Sequence, residues 1–299
     1  MKICWIGLGN MGMPMATHLH NAGFEVLGFD LSSTPRAAAA EAGLPVADTV
    51  HEAADRADVV FTMLPKGEHV HNALFDSLAL AETNSGALVI DCSTIAAADA
   101  RDIAAGVVAS GRRFVDAPVS GGTAGAEAGS LTFMVGGFEA DIDDARPMFE
   151  AMGSRVFHAG EVGAGQSAKM VNNLMLAANM QSTCEAAVLA RRLGIAPETV
   201  IEIASVSTGD SWVLRNYYPV GGAVEKAPSS HGFTGGFAAR LMRKDLGLAL
   251  DAAAEHGVDL TATATVARRL DTMIAEGHGD LDFSAIVRLV DAADAQALR

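Results

Sequence analysis

The sequence predicts an α/β N-terminal domain, built on a doubly wound, mainly parallel sheet, followed by an all-α C-terminal domain, with one long interdomain helix joining them. Three observations carry this. Short apolar runs alternate with helical, Ala-rich stretches through the first half of the chain. A glycine-rich turn stands between the first run and the first helical stretch. After about residue 162 the strand-like runs stop and helical periodicity takes over. The 299 residues suit two domains of roughly 100–200 residues each, here 1–162 and 163–299.

Lys2–Ile6 reads as the first strand, Met13–Ala22 as the first helix and Glu25–Phe29 as the second strand. Val59–Met63, Leu88–Asp91 and Arg113–Val115 follow as strands, and this spacing argues for βαβ units with right-handed crossovers. Leu131–Val135, between Gly129 and Gly136, reads as a late strand at an edge. The second half reads as helices over Gln166–Leu193, Pro197–Ser205, Gly236–His256, Thr261–Glu276 and Phe283–Ala295. Ser207 to Gly236 is irregular, rich in Gly and Pro, and a loop of that length is usually functional or disordered.

Composition excludes several classes. Half the residues are hydrophobic and 19% charged, which supplies large cores and argues against disorder. The net charge of -15, without a basic run, opposes nucleic-acid binding. Three scattered cysteines make neither a disulfide framework nor a CxxC pair, and fit a reducing, cytoplasmic setting. The chain opens directly in its first strand, with no leader-like segment, and contains no apolar run long enough to span a membrane. His18/His20 and His69/His71 are spaced two apart and point to nearly opposite helix faces, so no metal site is expected.

Four stretches carry chemistry. Gly7-Leu8-Gly9-Asn10-Met11-Gly12 follows a strand and opens a helix, the context of a dinucleotide fingerprint, although a glycine turn without a ligand has the same letters. The helix N-terminus supplies N–H groups and partial positive charge to a pyrophosphate. Asp30 ends the second strand, where a carboxylate accepts from ribose hydroxyls and repels a 2′-phosphate; no Arg stands in Leu31-Ser32-Ser33, so NAD is expected over NADP. Asp116-Ala117-Pro118-Val119-Ser120-Gly121-Gly122-Thr123 places a hydroxyl and open backbone N–H groups after a strand, a cradle for a small carboxylate or else a plain glycine turn.

In GAGQSAKMVNNLML, Lys169 and Asn173 share a face of a helix suited to burial, with Asn172 close by. A buried lysine beside a cationic nicotinamide ring loses proton affinity and can serve as a base near neutral pH. A solvated lysine on the outer side of the helix is the alternative. Arg243-Lys244-Asp245-Leu246 is, taken alone, an ordinary charged helix face.

With these motifs in place the chain resembles the β-hydroxyacid dehydrogenase family, which includes 6-phosphogluconate dehydrogenase. GLGNMGMPMA, DAPVSGGTAGAEAGSLTFMVGG, GAGQSAKMVNNLML and KDLGLA carry the resemblance through both domains. DCSTIAAADAR, STGDSW, GFTGGF and DFSAIV are similar to its 3-hydroxyisobutyrate dehydrogenase branch in particular. The resemblance implies a Rossmann domain and a helical substrate and oligomerisation domain, forming a homodimer or homotetramer. It implies that Gly7 to Gly12 and Asp30 bind NAD. Leu64, Pro65 and Thr94 would line the nicotinamide side, with Lys244 near the cofactor. Ser120, Gly121 and Gly122 would hold the substrate carboxylate, and Asn173 and Trp212 would contact or shape the substrate site. Lys169 would be the catalytic acid/base, with Asp245 orienting the site; His231 receives no role. The implied reaction is oxidation of 3-hydroxyisobutyrate to methylmalonate semialdehyde, in valine catabolism. Sibling chemistries on tartronate semialdehyde, succinic semialdehyde or glyoxylate, L-serine oxidation as a side activity, and a silent NAD-binding module are the rivals.

Overall fold

A computed structural model of the chain describes residues 1–77 and 79–291. Contacts divide it into two compact units, Met1–Lys169 and a second beginning at Met170.

The first unit holds an eight-stranded sheet. β1 (Lys2–Ile6), β2 (Glu25–Phe29), β3 (Val59–Thr62), β4 (Leu88–Asp91) and β5 (Arg113–Asp116) are parallel, in the order β2-β1-β3-β4-β5. They read as near-continuous apolar runs because both faces are buried. Alternate side chains serve two cores: Trp5, Phe61, Ile90 and Val115 on one face, Cys4, Val60, Val89 and Phe114 on the other. The chain leaves β1 for β2 on one side and returns to β3 on the other. The carboxyl ends of β1 and β3 therefore flank the topological switch point, where such sheets bind ligands.

β6 (Val119–Ser120), β7 (Leu131–Gly136) and β8 (Gly153–Gly160) complete the sheet. β7 runs antiparallel to β5 and β6 and parallel to β8. The strand expected at an edge is thus internal, and β8 lies outside it. β8 reads GSRVFHAG with mostly exposed side chains, so neither an apolar run nor alternation announces it. The remaining strand and helix ends fall within a few residues of their expected places.

The second unit is helical. Helix Ala164–Arg192 enters it from the first unit, followed by Pro197–Ala204, Trp212–Asn216, Ala239–Glu255 and Thr261–Ala275. Met180, Val213, Met242, Leu246, Leu270 and Phe283 are among its core. The expected last helix is a 3₁₀ turn, Phe283–Ile286, and one α-helical turn, Val287–Val290; its continuation to Ala295 lies outside the described residues. Among the described residues no helix is long and apolar enough to cross a membrane.

The irregular segment up to Gly236 is held in place by one carboxylate. Buried Asp282 accepts from Tyr217 Oη (2.7 Å), Phe237 N (2.7 Å), Ser284 N (2.9 Å) and Ser284 Oγ (2.6 Å). Gly236 lies beside it at φ +66°, and a Cβ there would stand 2.3 Å from Asp282 Oδ2. Ser229 Oγ donates to Tyr218 O (2.7 Å), and the His231 ring nitrogen lies 2.8 Å from Glu225 O. Hydrogen bonds rather than periodicity order this segment, which is why no element is readable there.

Candidate active site

The glycine turn follows β1 at the switch point. Gly7 has φ +103°, and a Cβ on it would stand 2.3 Å from Met63 O. A Cβ on Gly12 would stand 1.9 Å from Gly7 O, so the first turn of helix Gly12–Asn21 packs directly on the loop. Gly9 differs: a Cβ there meets nothing within 4 Å, and Gly9 and Asn10 are exposed. The loop thus offers open space where a pyrophosphate would approach the backbone, and closed packing behind it. Buried Trp5 braces it from below, its Nε1 donating to Gly7 O (2.8 Å) while its ring stacks on Phe61.

Asp30 accepts from Leu8 N (2.9 Å, Oδ2) and Ser32 N (2.9 Å, Oδ1), which ties the end of β2 to the fingerprint. The residues after it do bring an arginine close. Arg36 Nη1 donates to Asp30 O (2.6 Å), and its guanidinium carbon lies 5.8 Å from the Phe29 ring centre. The short window Leu31-Ser32-Ser33 did not reveal it, because a helical turn carries Arg36 back over the strand end.

β3, β4 and β5 end in a polar row. Register pairs Thr62 with Asp91 and Asp91 with Asp116, so the three side chains share one face of the sheet. All three are fully buried. Asp116 holds the start of helix Ala164–Arg192: its Oδ1 accepts from Gly163 N (2.7 Å) and its Oδ2 from Gln166 N (2.8 Å). A Cβ on Gly136 or Gly165 would intrude on that carboxylate, at 2.5 Å and 2.8 Å respectively. Burial pushes the Asp116 carboxyl up, opposed by these helix N–H donors.

Asp91 Oδ1 accepts from Thr62 Oγ1 (2.8 Å) and Ser93 N (3.0 Å), and among the described residues Asp91 Oδ2 has no hydrogen-bond partner. Burial pushes this carboxyl up to about 6. The native state therefore binds more protons than the unfolded chain between about pH 4 and 6, and stability falls as pH rises through that window. The shift corresponds to roughly 3 kcal/mol. Asp91→Asn is expected to lose this term: wild-type stability relative to the variant drops by up to that amount between pH 4 and 7. Urea midpoints of both proteins along that range test it, and a constant difference would disprove the assignment.

The residues expected on the nicotinamide side follow the same strand ends. Leu64 N donates to Ser93 Oγ (2.8 Å), exposed Pro65 comes next, and half-buried Thr94 stands between buried Ser93 and Ile95. Ser120 closes β6, paired with Thr132, and Gly121 (φ +137°) and Gly122 (φ +62°) turn sharply after it. Two successive left-handed residues need glycine, and both are exposed.

Along helix Ala164–Arg192, Gln166, Lys169, Asn173, Ala177, Met180 and Cys184 form one buried stripe, polar at its start and apolar beyond. Lys169 is 8% exposed, so it stands on the buried side rather than the solvated one. Not every apolar position of the helix is packed: Val171 and Met175, on another face, are more than half exposed.

In the second unit Asn173 Nδ2 donates to buried Asp245 Oδ2 (2.6 Å), and Asn173 Oδ1 accepts from Asn172 Nδ2 (3.1 Å). Lys244 Nζ is ion-paired with Asp245 Oδ1 at 3.1 Å. One carboxylate therefore links Asn173 with Lys244, and the RKDL stretch is more than a charged face. Trp212 joins a different network: half-exposed, it tilts against Tyr217 at 5.3 Å between ring centres, the tyrosine that Asp282 holds. Sequence reading passed over Trp5, Asp91, Ser93 and Gln166. Trp5, Asp91 and Ser93 stand in or beside apolar runs and Gln166 in a small-residue helix start, and only their partners reveal their use.

Two family models match the chain: the NAD-binding domain of 6-phosphogluconate dehydrogenase over residues 2–160, and the NAD-binding model of NADP-dependent 3-hydroxyisobutyrate dehydrogenase over residues 163–290. An NAD-dependent L-serine dehydrogenase from Pseudomonas aeruginosa is 44% identical over 297 residues, 99% of each chain. A 3-hydroxyisobutyrate dehydrogenase from the same organism is 44% identical over 296 residues, 98% of this chain and 99% of that one. The solved structure of Mycobacterium tuberculosis 3-hydroxyisobutyrate dehydrogenase with L-serine is similar at a TM-score of 0.90 and 42% identity, covering 97% of this chain and 99% of that one.

Proposed function

The chain belongs to the β-hydroxyacid dehydrogenase family as a 3-hydroxyisobutyrate dehydrogenase-like, NAD-dependent oxidoreductase, and on that premise we propose that it oxidises 3-hydroxyisobutyrate to methylmalonate semialdehyde, a step of valine breakdown. The observation that carries the reading is the burial of Lys169 and Asn173 one turn apart on one helix face. Gly7 to Gly12 and Asp30 would hold the dinucleotide, and the open space over Gly9 fits it. Bound NAD supplies the acceptor for the hydride leaving C3.

Lys169 takes the proton of the 3-hydroxyl as that hydride departs. Ser120, Gly121 and Gly122 bind the substrate carboxylate and so limit the poses in which C3 can react. The Asn173 amide is oriented by Asp245, which accepts from its Nδ2 and leaves the carbonyl side toward Asn172. Asp30, already accepting two backbone N–H groups, disfavours a 2′-phosphate by charge and supports NAD over NADP.

L-serine is the second reading. It too carries a 3-hydroxyl beside a carboxylate, and a relative named for its oxidation is as similar as one named for 3-hydroxyisobutyrate. The test is kcat/KM for 3-hydroxyisobutyrate, L-serine and the sibling hydroxy acids, each with NAD and NADP. 3-Hydroxyisobutyrate with NAD is expected to lead. A larger value for L-serine would transfer the substrate assignment, and faster turnover with NADP would overturn the cofactor assignment.

A further inference from the structure

We propose that Gln166 is a positioning residue that sets Lys169 against the Thr94 loop. Gln166 lies in the first turn of helix Ala164–Arg192, three residues before Lys169 and on the same buried stripe. Three of its atoms are engaged at once. Nε2 donates to Ser93 O (2.8 Å), Oε1 accepts from Ile95 N (3.1 Å), and the backbone N donates to Asp116 Oδ2 (2.8 Å).

The amide thus grips the chain on both sides of Thr94. Ser93 is itself fixed, its N donating to Asp91 and its Oγ accepting from Leu64 N. One side chain from the lysine's own helix therefore joins that helix directly to the Thr94 loop and, through Ser93, to the Leu64 loop, both assigned to the nicotinamide side. Asp116 alone holds the helix start through N–H groups near its axis, which resists withdrawal better than rotation about the axis. The Gln166 side chain reaches off-axis and resists rotation. A side chain as long as lysine converts a small helix rotation into a displacement of order 1 Å at Nζ, enough to cost about 10²-fold in rate.

This proposal rests on the acid/base reading of Lys169, so the experiment separates the two. Gln166→Met keeps the length of the side chain and removes both bonds. Expected are a kcat lower by about 10- to 100-fold, a dissociation constant for NAD within about 3-fold of wild type, and a larger primary deuterium isotope effect with C3-deuterated substrate. The double variant Gln166→Met/Lys169→Ala should be no slower than Lys169→Ala alone, because a residue that acts through the lysine has nothing left to position.

Gln166→Glu provides a second readout should the methionine variant fold poorly. Its protonated carboxyl can keep both bonds, whereas the ionised form can only accept, beside the buried carboxylates Asp91 and Asp116. Its kcat should therefore fall with rising pH on top of the wild-type profile. Wild-type kcat in Gln166→Met, additive losses in the double variant, or a Gln166→Glu pH profile parallel to wild type would overturn the proposal. Undiminished turnover in Lys169→Ala would instead overturn the acid/base reading itself.

Discussion

Replacing Lys169 by alanine is expected to lower turnover by about 10²–10⁴-fold, the usual contribution of a positioned acid/base group. Dissociation of NAD, read from the quenching of protein fluorescence or by calorimetry, should change little. The glycine loop and Asp30 belong to the β1 and β2 ends, where Trp5, Leu8 and Ser32 hold them. Lys169→Arg should be nearly as slow, because a guanidinium stays protonated and cannot take the hydroxyl proton. That variant matters for interpretation, since it keeps the positive charge. If arginine restored turnover, the lysine would be acting as an electrostatic anchor for the substrate and not as a base.

The second large effect concerns the fingerprint, where Gly9 and Gly12, three residues apart, should both matter for NAD but differ in what they do to the ligand-free fold. Gly12→Ala places a methyl group 1.9 Å from Gly7 O, a backbone atom that cannot move without opening the turn. About 1–3 kcal/mol of overpacking is expected in the folded chain, seen as a thermal midpoint several degrees lower without ligand. Affinity for NAD should fall by about 10²-fold or more as the turn loses its shape. Gly9→Ala meets nothing within 4 Å. Its thermal midpoint without ligand should match wild type, while its affinity for NAD falls, because the added methyl occupies the space a pyrophosphate needs. Equal midpoints for the two variants would contradict this difference in packing. Unchanged NAD affinity in Gly9→Ala would place the dinucleotide elsewhere.

Much of this protein is legible in its amino-acid sequence. The five parallel strands announce themselves because strands buried on both faces must be apolar throughout, and turn residues bound them. The fingerprint is legible because three glycines meet three separate steric demands within six residues. The helical second half follows from periodicity alone. β8 left no such trace, since its residues are mostly exposed and only backbone pairing with β7 makes it a strand. The segment around Tyr217 looked loose because its order comes from Asp282, some 65 residues away in the chain.

The limits at the candidate site have the same cause. Helical spacing put Lys169 and Asn173 on one face, but spacing cannot say whether that face is wet or buried, and the continuation of the stripe through Ala177, Met180 and Cys184 decided it. Asp91 and Asp116 each end an apolar run, and in sequence they look like ordinary strand terminators. Pairing in register turned them into a buried polar row, and the arrival of Gly163 and Gln166 made one of them the anchor of the lysine's helix. The sequence by itself determined where the five parallel strands and most of the helices form and which residue types are candidates for the chemistry, because periodicity and local sterics act over a few residues. Only the tertiary structure decided which polar groups are buried and what each one holds, because a hydrogen-bond partner dozens of residues distant exists only once the chain has folded.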